Sequence, residues 1–154
     1  MTDAEFAVVK ARIERLIARW VKTIGLGWWT VKFRYDRSYK TGEDADTAAS
    51  TAADTTTSWE YLLAHVTFYL PVIEQMPDDE LEELFVHECC HILTAELGVE
   101  ENELQRPHRE RVATTLARAF IWCREAGEEK AEALKEHHAD AMFLNQLQRE
   151  ASGL

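Results

Sequence analysis

DDELEELFVHECCHILTAELG, residues 78–98, is the stretch that decides the fold. Pro77 precedes it, and Asp78 is expected to cap a helix whose first turn carries more acids at the positive end of the helix dipole. Gly98 is expected to lie just past the last turn, where glycine commonly ends helices. The signals at both ends therefore predict that the pentapeptide HECCH, residues 87–91, lies inside a helix.

HECCH has the spacing of a metal site. On a helix, residues i and i+4 project from the same face about 6 Å apart, so His87 and His91 can reach one tetrahedral ion. Glu88 points about 100° away around the axis, close enough to touch a water at the metal without binding the ion itself. The pattern predicts two histidine ligands and an adjacent carboxylate base.

A catalytic zinc site needs a third protein ligand, and several downstream residues are candidates. Glu110 is favoured because Ala113, Thr114 and Ala117 follow it at i+3, i+4 and i+7, a stripe of small residues that permits close helix packing. His108 is the alternative, as a ligand or as a transition-state donor. The less favoured candidates are Glu96, Glu100, Glu101 and Glu103, and Cys90 is expected to be a buried residue rather than a competing ligand.

The sequence before this helix predicts one helix and three strands. Thr2 or Asp3 is expected to cap a helix that runs to about Ile24, with Gly25 and Gly27 as stop signals. Alternating apolar and polar residues predict strands within WWTVKFRYD (28–36), DTAASTAADTTTS (46–58) and WEYLLAHVTFYL (59–70). A polar loop is expected between the first two strands, and Pro71 is expected to end the sheet.

Two further helices are predicted after residue 98. The first begins near Pro107 and stops at Gly127, and the second covers residues 128–151. One face of the first is expected to join the core, with Val112, Leu116, Ala119, Phe120 and Cys123. The predicted fold is α+β: an N-terminal helix, a small three-stranded sheet, the HECCH helix, the Glu110 helix and a C-terminal helix. Residues 1–154 are interpreted as one domain, with residues 128–154 as a helical extension.

Composition excludes several classes of partner. The net charge of −11 and pI near 5.0 disfavour binding to nucleic acid. No apolar run reaches the roughly 18 residues of a membrane span, and the N-terminus does not have the pattern of a secretory signal. The three cysteines are interpreted as reduced thiols in a cytoplasmic protein.

HECCHILTAELG followed by ERVATTLARAF resembles the zincin metallopeptidases, in particular the small HExxH proteins of bacteriophages and prophages in which a glutamate on the next helix completes the site, as in gluzincins. The extended HExxHxxGxxH motif of metzincins is absent. The resemblance implies that His87, His91 and Glu110 bind one zinc ion and that Glu88 is the general base. It also implies a protein or peptide substrate, which is expected along an edge strand near Tyr61 to Tyr69.

Some questions stay open at this level. The donor to the tetrahedral oxyanion is expected to be Tyr69, His65 or His108, and the oligomeric state is not specified. ImmA/IrrE-like proteins cut a regulatory partner and SprT-like proteins act on DNA-bound protein, but the fuller pattern of neither is evident, and the acidity disfavours the second. The alternatives to a peptidase are a zinc-stabilised binding or assembly module without turnover and a metal-free helical adaptor.

Overall fold

The computed structural model describes residues 1–40, 51–98 and 105–151 of the chain. In these ranges the protein is α+β, as predicted, with four α-helices and a three-stranded mixed sheet. The chain divides into two compact units, Met1–Arg118 and Ala119–Leu154. The interpretation of residues 1–154 as one domain stays a prediction. In the described parts of the chain, no helix combines the length and the apolar character that a membrane crossing requires.

The first helix, α1, spans Asp3–Trp20 and begins as the sequence predicts. Thr2 is its N-cap: the Thr2 hydroxyl accepts a hydrogen bond from the backbone N–H of Glu5, and the Glu5 carboxylate accepts one from the N–H of Thr2. The helix ends before the predicted Ile24, because residues 21–25 form turns that lead into the left-handed Gly25 at φ +91°.

The sheet contains β1 (Thr30–Asp36), β2 (Ala53–Ser58) and β3 (Leu63–Tyr69) in the order β1-β3-β2. β3 pairs with β1 in parallel and with β2 antiparallel. The prediction of an edge strand near Tyr61 to Tyr69 is therefore wrong: β3 is central, and β1 and β2 form the edges of the described sheet. The part of the second predicted strand at residues 46–50, and most of the predicted loop before it, lie outside the described residues.

A short helix, α2 (Leu70–Ile73), ends the sheet at Pro71 as predicted, and α3 (Asp78–Leu93) carries HECCH. The N-cap of α3 is Pro77 rather than Asp78, which is the first helical residue. The helix also stops short of Gly98, because Thr94 ends it. The Thr94 hydroxyl donates to the Cys90 carbonyl at 3.0 Å, and a 3-10 turn follows at Ala95–Gly98.

The core of the first unit lies between the sheet, α1 and α3. Phe68 of β3 and Phe85 of α3 are fully buried, and they stack with each other and with Phe33 of β1 at centroid separations of 6.0 to 6.3 Å. This aromatic cluster fixes α3 against the sheet. The other fully buried large side chains include Trp20, Ile13, Leu26, Leu70, Ile73, Leu81, Ile92, Val66 and Val86.

The last helix, α4, spans Gln105–Ala151 without a break, so the prediction of two helices separated by Gly127 is wrong. A methyl group added at Gly127 would meet no other atom within 4 Å, and an exposed glycine costs only about 1 kcal/mol in a helix interior. The small-residue stripe is confirmed, since Ala113 and Ala117 are fully buried. The face predicted to join the core does not: Val112, Ala119 and Cys123 are exposed, and Leu116 and Phe120 are half-buried.

Arg12 of α1 ties this helix to the start of α3. Its guanidinium donates to the carbonyl oxygens of Ile73 and Met76 and pairs with Asp78 at 2.7 Å. We expect Arg12→Met to lower the free energy of unfolding by about 1–3 kcal/mol, because two part-buried carbonyls lose their donor. Asp78→Ala is the control and is expected to cost under about 1 kcal/mol, since Asp78 is exposed. Urea denaturation of both variants checks this; equal losses would contradict it.

Candidate metal centre

α3 places two imidazoles together on the face turned towards α4. His87 and His91 are one helical turn apart, and their Nε2 atoms are separated by 3.0 Å. The two rings lie edge to face, with centroids 4.6 Å apart. Both side chains are mostly buried, at 21% and 14% exposed. The helical spacing of HECCH therefore produces the convergence of nitrogens that the sequence predicts.

Glu110 comes from the first turns of α4 and completes the group. Its Oε2 atom lies 3.3 Å from His87 Nε2 and 3.5 Å from His91 Nε2. Four-coordinate zinc with bonds near 2.0–2.1 Å separates its ligand atoms by about 3.3 Å. The three observed separations, 3.0, 3.3 and 3.5 Å, bracket that value. His87, His91 and Glu110 thus form a group that could hold a metal ion.

The chemistry of the three donors also fits a cation. The Thr114 hydroxyl lies 3.4 Å from His87 Nδ1, so a proton on Nδ1 can donate to it and leave Nε2 with a free lone pair. In that tautomer His87 Nε2 lies 3.3 Å from Glu110 Oε2 with its lone pair available, and a cation between the two atoms could be bound by both. Thr114 follows Glu110 by one helical turn, so the same helix supplies a donor atom and supports its neighbour.

Glu88 is buried beside the group without belonging to it. Only 6% of the residue is exposed, and one carboxylate oxygen accepts a hydrogen bond of 2.6 Å from the Thr55 hydroxyl of β2. Burial raises the pKa of Glu88 to about 7, the Thr55 hydrogen bond opposes this rise, and the charge of nearby Asp54 adds to it. A cation held by the three donors would lower this pKa again.

An open cleft of about 630 Å³ gives access to these groups. Residues of β2, of α3 and of the start of α4 line it. Three cationic side chains, Lys40, Arg106 and Arg109, lie on its walls together with the carboxylates of Asp54, Glu88 and Glu110. The remaining lining residues are Thr51, Ala53, Thr55, Thr56, His87 and His91. The cleft is thus strongly polar, and the group formed by His87, His91 and Glu110 is reachable from outside.

The other candidate ligands that the structure describes do not belong to this group. Glu96 is exposed in the turn after α3, and Glu100, Glu101 and Glu103 lie outside the described residues. His108 is exposed on α4, and its Nδ1 lies 3.5 Å from Arg111. Cys90 is fully buried, and burial raises the pKa of its thiol to about 12, which disfavours the thiolate that a metal would need.

None of the three candidate oxyanion donors, Tyr69, His65 and His108, lines the cleft. Tyr69 is buried, and its hydroxyl donates to Asp54 at 2.6 Å. His65 is half-buried on β3, where strand alternation puts it on the face opposite the buried Val66. The cationic side chains Lys40, Arg106 and Arg109 do line the cleft, and the sequence alone does not single them out, nor does it single out Thr55. For Arg106 and Arg109, the only signal in the sequence is that they lie within four residues of Glu110.

None of the protein-family models, curated proteins or solved structures compared with the chain matches it. The geometry of the site and the HECCH motif are therefore the basis for inferring a function.

Proposed function

We propose that the protein is a zinc-dependent peptidase of the zincin type, with a single active site formed by His87, His91, Glu110 and Glu88. The observation that carries the proposal is the convergence of three donor atoms from α3 and α4, at separations that suit zinc, beside a buried carboxylate. Zinc is the preferred metal because two imidazoles and one carboxylate in a tetrahedral arrangement suit it best.

Each residue has a distinct role in this proposal. His87, His91 and Glu110 would hold the zinc and leave a position open towards the cleft. Bound there, zinc supplies Lewis-acid polarisation of a carbonyl and makes water a stronger acid. Glu88 accepts the proton of the attacking water and returns it to the leaving amine. Arg106 and Arg109 line the cleft, and the proposal assigns to one of them the hydrogen bond to the developing oxyanion.

The substrate class follows from the shape of the cleft wall. β2 is an edge strand of the described sheet, so one side of its backbone can pair with an extended peptide. The proposed substrate is thus a protein or peptide lying along β2. The negative charge of the chain disfavours nucleic acid as a partner. We further propose a cytoplasmic location and a phage or prophage origin. The proposed origin is based only on the resemblance of the HECCH region.

The alternative of a zinc-stabilised module without turnover explains the ligands but not Glu88. A structural zinc site is usually closed by four protein ligands, and here three of the described residues converge beside an accessible cleft. Burying a carboxylate costs free energy, and a structural site has no use for that group.

We expect purified protein to hold about one zinc per chain and to cleave an unfolded protein substrate, measured by elemental analysis and by release of new amino termini. A chelator is expected to abolish the cleavage and added zinc to restore it. Glu110→Ala is expected to weaken zinc binding by more than the roughly 10–100-fold that loss of an outer-shell partner costs.

Glu125→Ala is the matched control, an exposed glutamate on the same helix that does not belong to the group. It is expected to keep both zinc and cleavage. Full zinc content in Glu110→Ala would remove Glu110 from the site. Zinc binding without cleavage of any substrate would leave the structural module as the better account.

A further inference from the structure

The geometry points to Thr55 as a positioning residue: its hydroxyl holds one oxygen of the Glu88 carboxylate so that the other oxygen faces the cleft. This inference rests on the proposed function, because it assigns a role in the reaction to a residue outside the metal-binding group. Thr55 lies on β2 and Glu88 on α3, so the contact joins two residues that are 33 positions apart in the chain.

The hydrogen bond is short and sheltered. Thr55 Oγ1 lies 2.6 Å from Glu88 Oε2, within the range of strong O–H···O⁻ hydrogen bonds. The Glu88 carbonyl oxygen is farther from the same hydroxyl, at 3.4 Å. A hydroxyl has a single proton, which therefore goes to the nearer carboxylate oxygen. Among the described residues, Thr55 provides the hydrogen bond that this buried carboxylate receives.

The Thr55 hydrogen bond fixes the orientation of the Glu88 carboxylate, which burial does not specify by itself. A glutamate has three rotatable side-chain bonds, and proton transfer requires its oxygen within about 2.6–3.2 Å of the donor. A misplacement of about 1 Å can cost on the order of 10²-fold in rate. Fixing Oε2 against β2 selects one carboxylate orientation and leaves Oε1 for the attacking water.

The position of Thr55 on an edge strand adds a second consequence. The strand that would pair with an extended substrate is the strand that orients the base. A peptide bound along β2 therefore lies at a fixed distance from Glu88, because one rigid element contacts both. The side chain of Thr57, two residues along on the same face of β2, has no such contact with Glu88 among the described residues.

The test compares Thr55→Val, Thr55→Ser and Thr57→Val in the zinc-loaded full chain, with kcat, KM and zinc content measured for each. Thr55→Val keeps the shape of the side chain and removes the hydroxyl, so kcat is expected to fall by about 10–100-fold with KM changed by less than about twofold. Thr55→Ser restores the hydroxyl and is expected to recover kcat to within about threefold of wild type. Zinc content is expected to stay near one per chain in all three.

Equal kcat values in Thr55→Val and Thr57→Val would overturn the inference. So would a Thr55→Ser variant as slow as Thr55→Val, since the hydroxyl would then not be the cause. A loss of zinc in Thr55→Val would also overturn it, because the effect would act through the metal.

If the protein has no turnover, the proposed function is wrong. A second measurement then still tests the hydrogen bond between Thr55 and Glu88. Thermal unfolding is compared for wild type, Thr55→Val, Glu88→Ala and the double variant. The Thr55→Val shift in Tm is expected to be several degrees larger in the wild-type background than in the Glu88→Ala background. Equal shifts in both backgrounds would show that the hydroxyl does not hold the carboxylate.

Discussion

Glu88→Gln is expected to lower kcat by about 10²–10⁴-fold while the protein keeps its full complement of zinc. The amide has nearly the shape of the carboxylate and its oxygen can still accept the Thr55 hydrogen bond. It cannot take up a proton at neutral pH. The substitution therefore removes one chemical ability from the site and leaves the three ligand atoms in place.

Retention of zinc in Glu88→Gln would distinguish a role of Glu88 as a general base from a role as a metal ligand. Glu88 is not in the group formed by His87, His91 and Glu110, and its carboxylate is turned towards β2. Since the carboxyl is buried with a raised pKa, its neutral replacement is not expected to destabilise the fold. Any loss of activity at full zinc content is then a loss of proton transfer.

Glu80→Gln is the matched control, because Glu80 is an exposed residue in the first turn of the same helix. It is expected to change kcat by less than about twofold. A peptide hydrolysis assay and elemental analysis on the same preparations measure kcat and zinc content, respectively. Unchanged turnover in Glu88→Gln, with zinc present, would assign the proton transfer to another group.

The local part of the site could be predicted from the sequence. The spacing of His87 and His91 puts both on one helical face regardless of tertiary structure, and the end signals of α3 were correct to within a few residues. The prediction that Glu110 joins the two histidines comes from packing, because the small residues after Glu110 allow α4 to approach α3 closely. The burial of Ala113 and Ala117 and the 3.3 Å contact to His87 agree with that argument.

The predictions that failed in the sheet depend on pairings between distant segments. Strand alternation identified all three strands, yet nothing in their residues states that β3 lies between β1 and β2. The contact of Thr55 with Glu88 follows from that order, because it requires β2 at the edge beside α3. Threonines are common in strands, and no local sequence pattern distinguishes one whose hydroxyl contacts a buried carboxylate on another element.

The prediction with the largest effect on stability concerns Phe85. It is fully buried on α3, two residues before His87. Its ring stacks against those of Phe33 and Phe68, and its centroid lies 6.0 Å from the centroid of each. Phe85→Ala is expected to lower the free energy of unfolding by about 3–5 kcal/mol, from lost apolar transfer and the cavity left behind. The total free energy of unfolding of a domain is about 5–15 kcal/mol, so the expected loss is a large fraction of it.

Trp28→Ala is the matched control, because Trp28 is a larger aromatic residue that is 86% exposed. It is expected to change the stability by less than about 0.5 kcal/mol. Urea denaturation with the metal chelated, followed by far-UV circular dichroism, measures both variants without a contribution from zinc binding. Similar losses in the two variants would mean that the aromatic cluster does not anchor α3. A large loss confined to Phe85→Ala would mean that the helix carrying both histidines is held in place by burial against the sheet, before any metal binds.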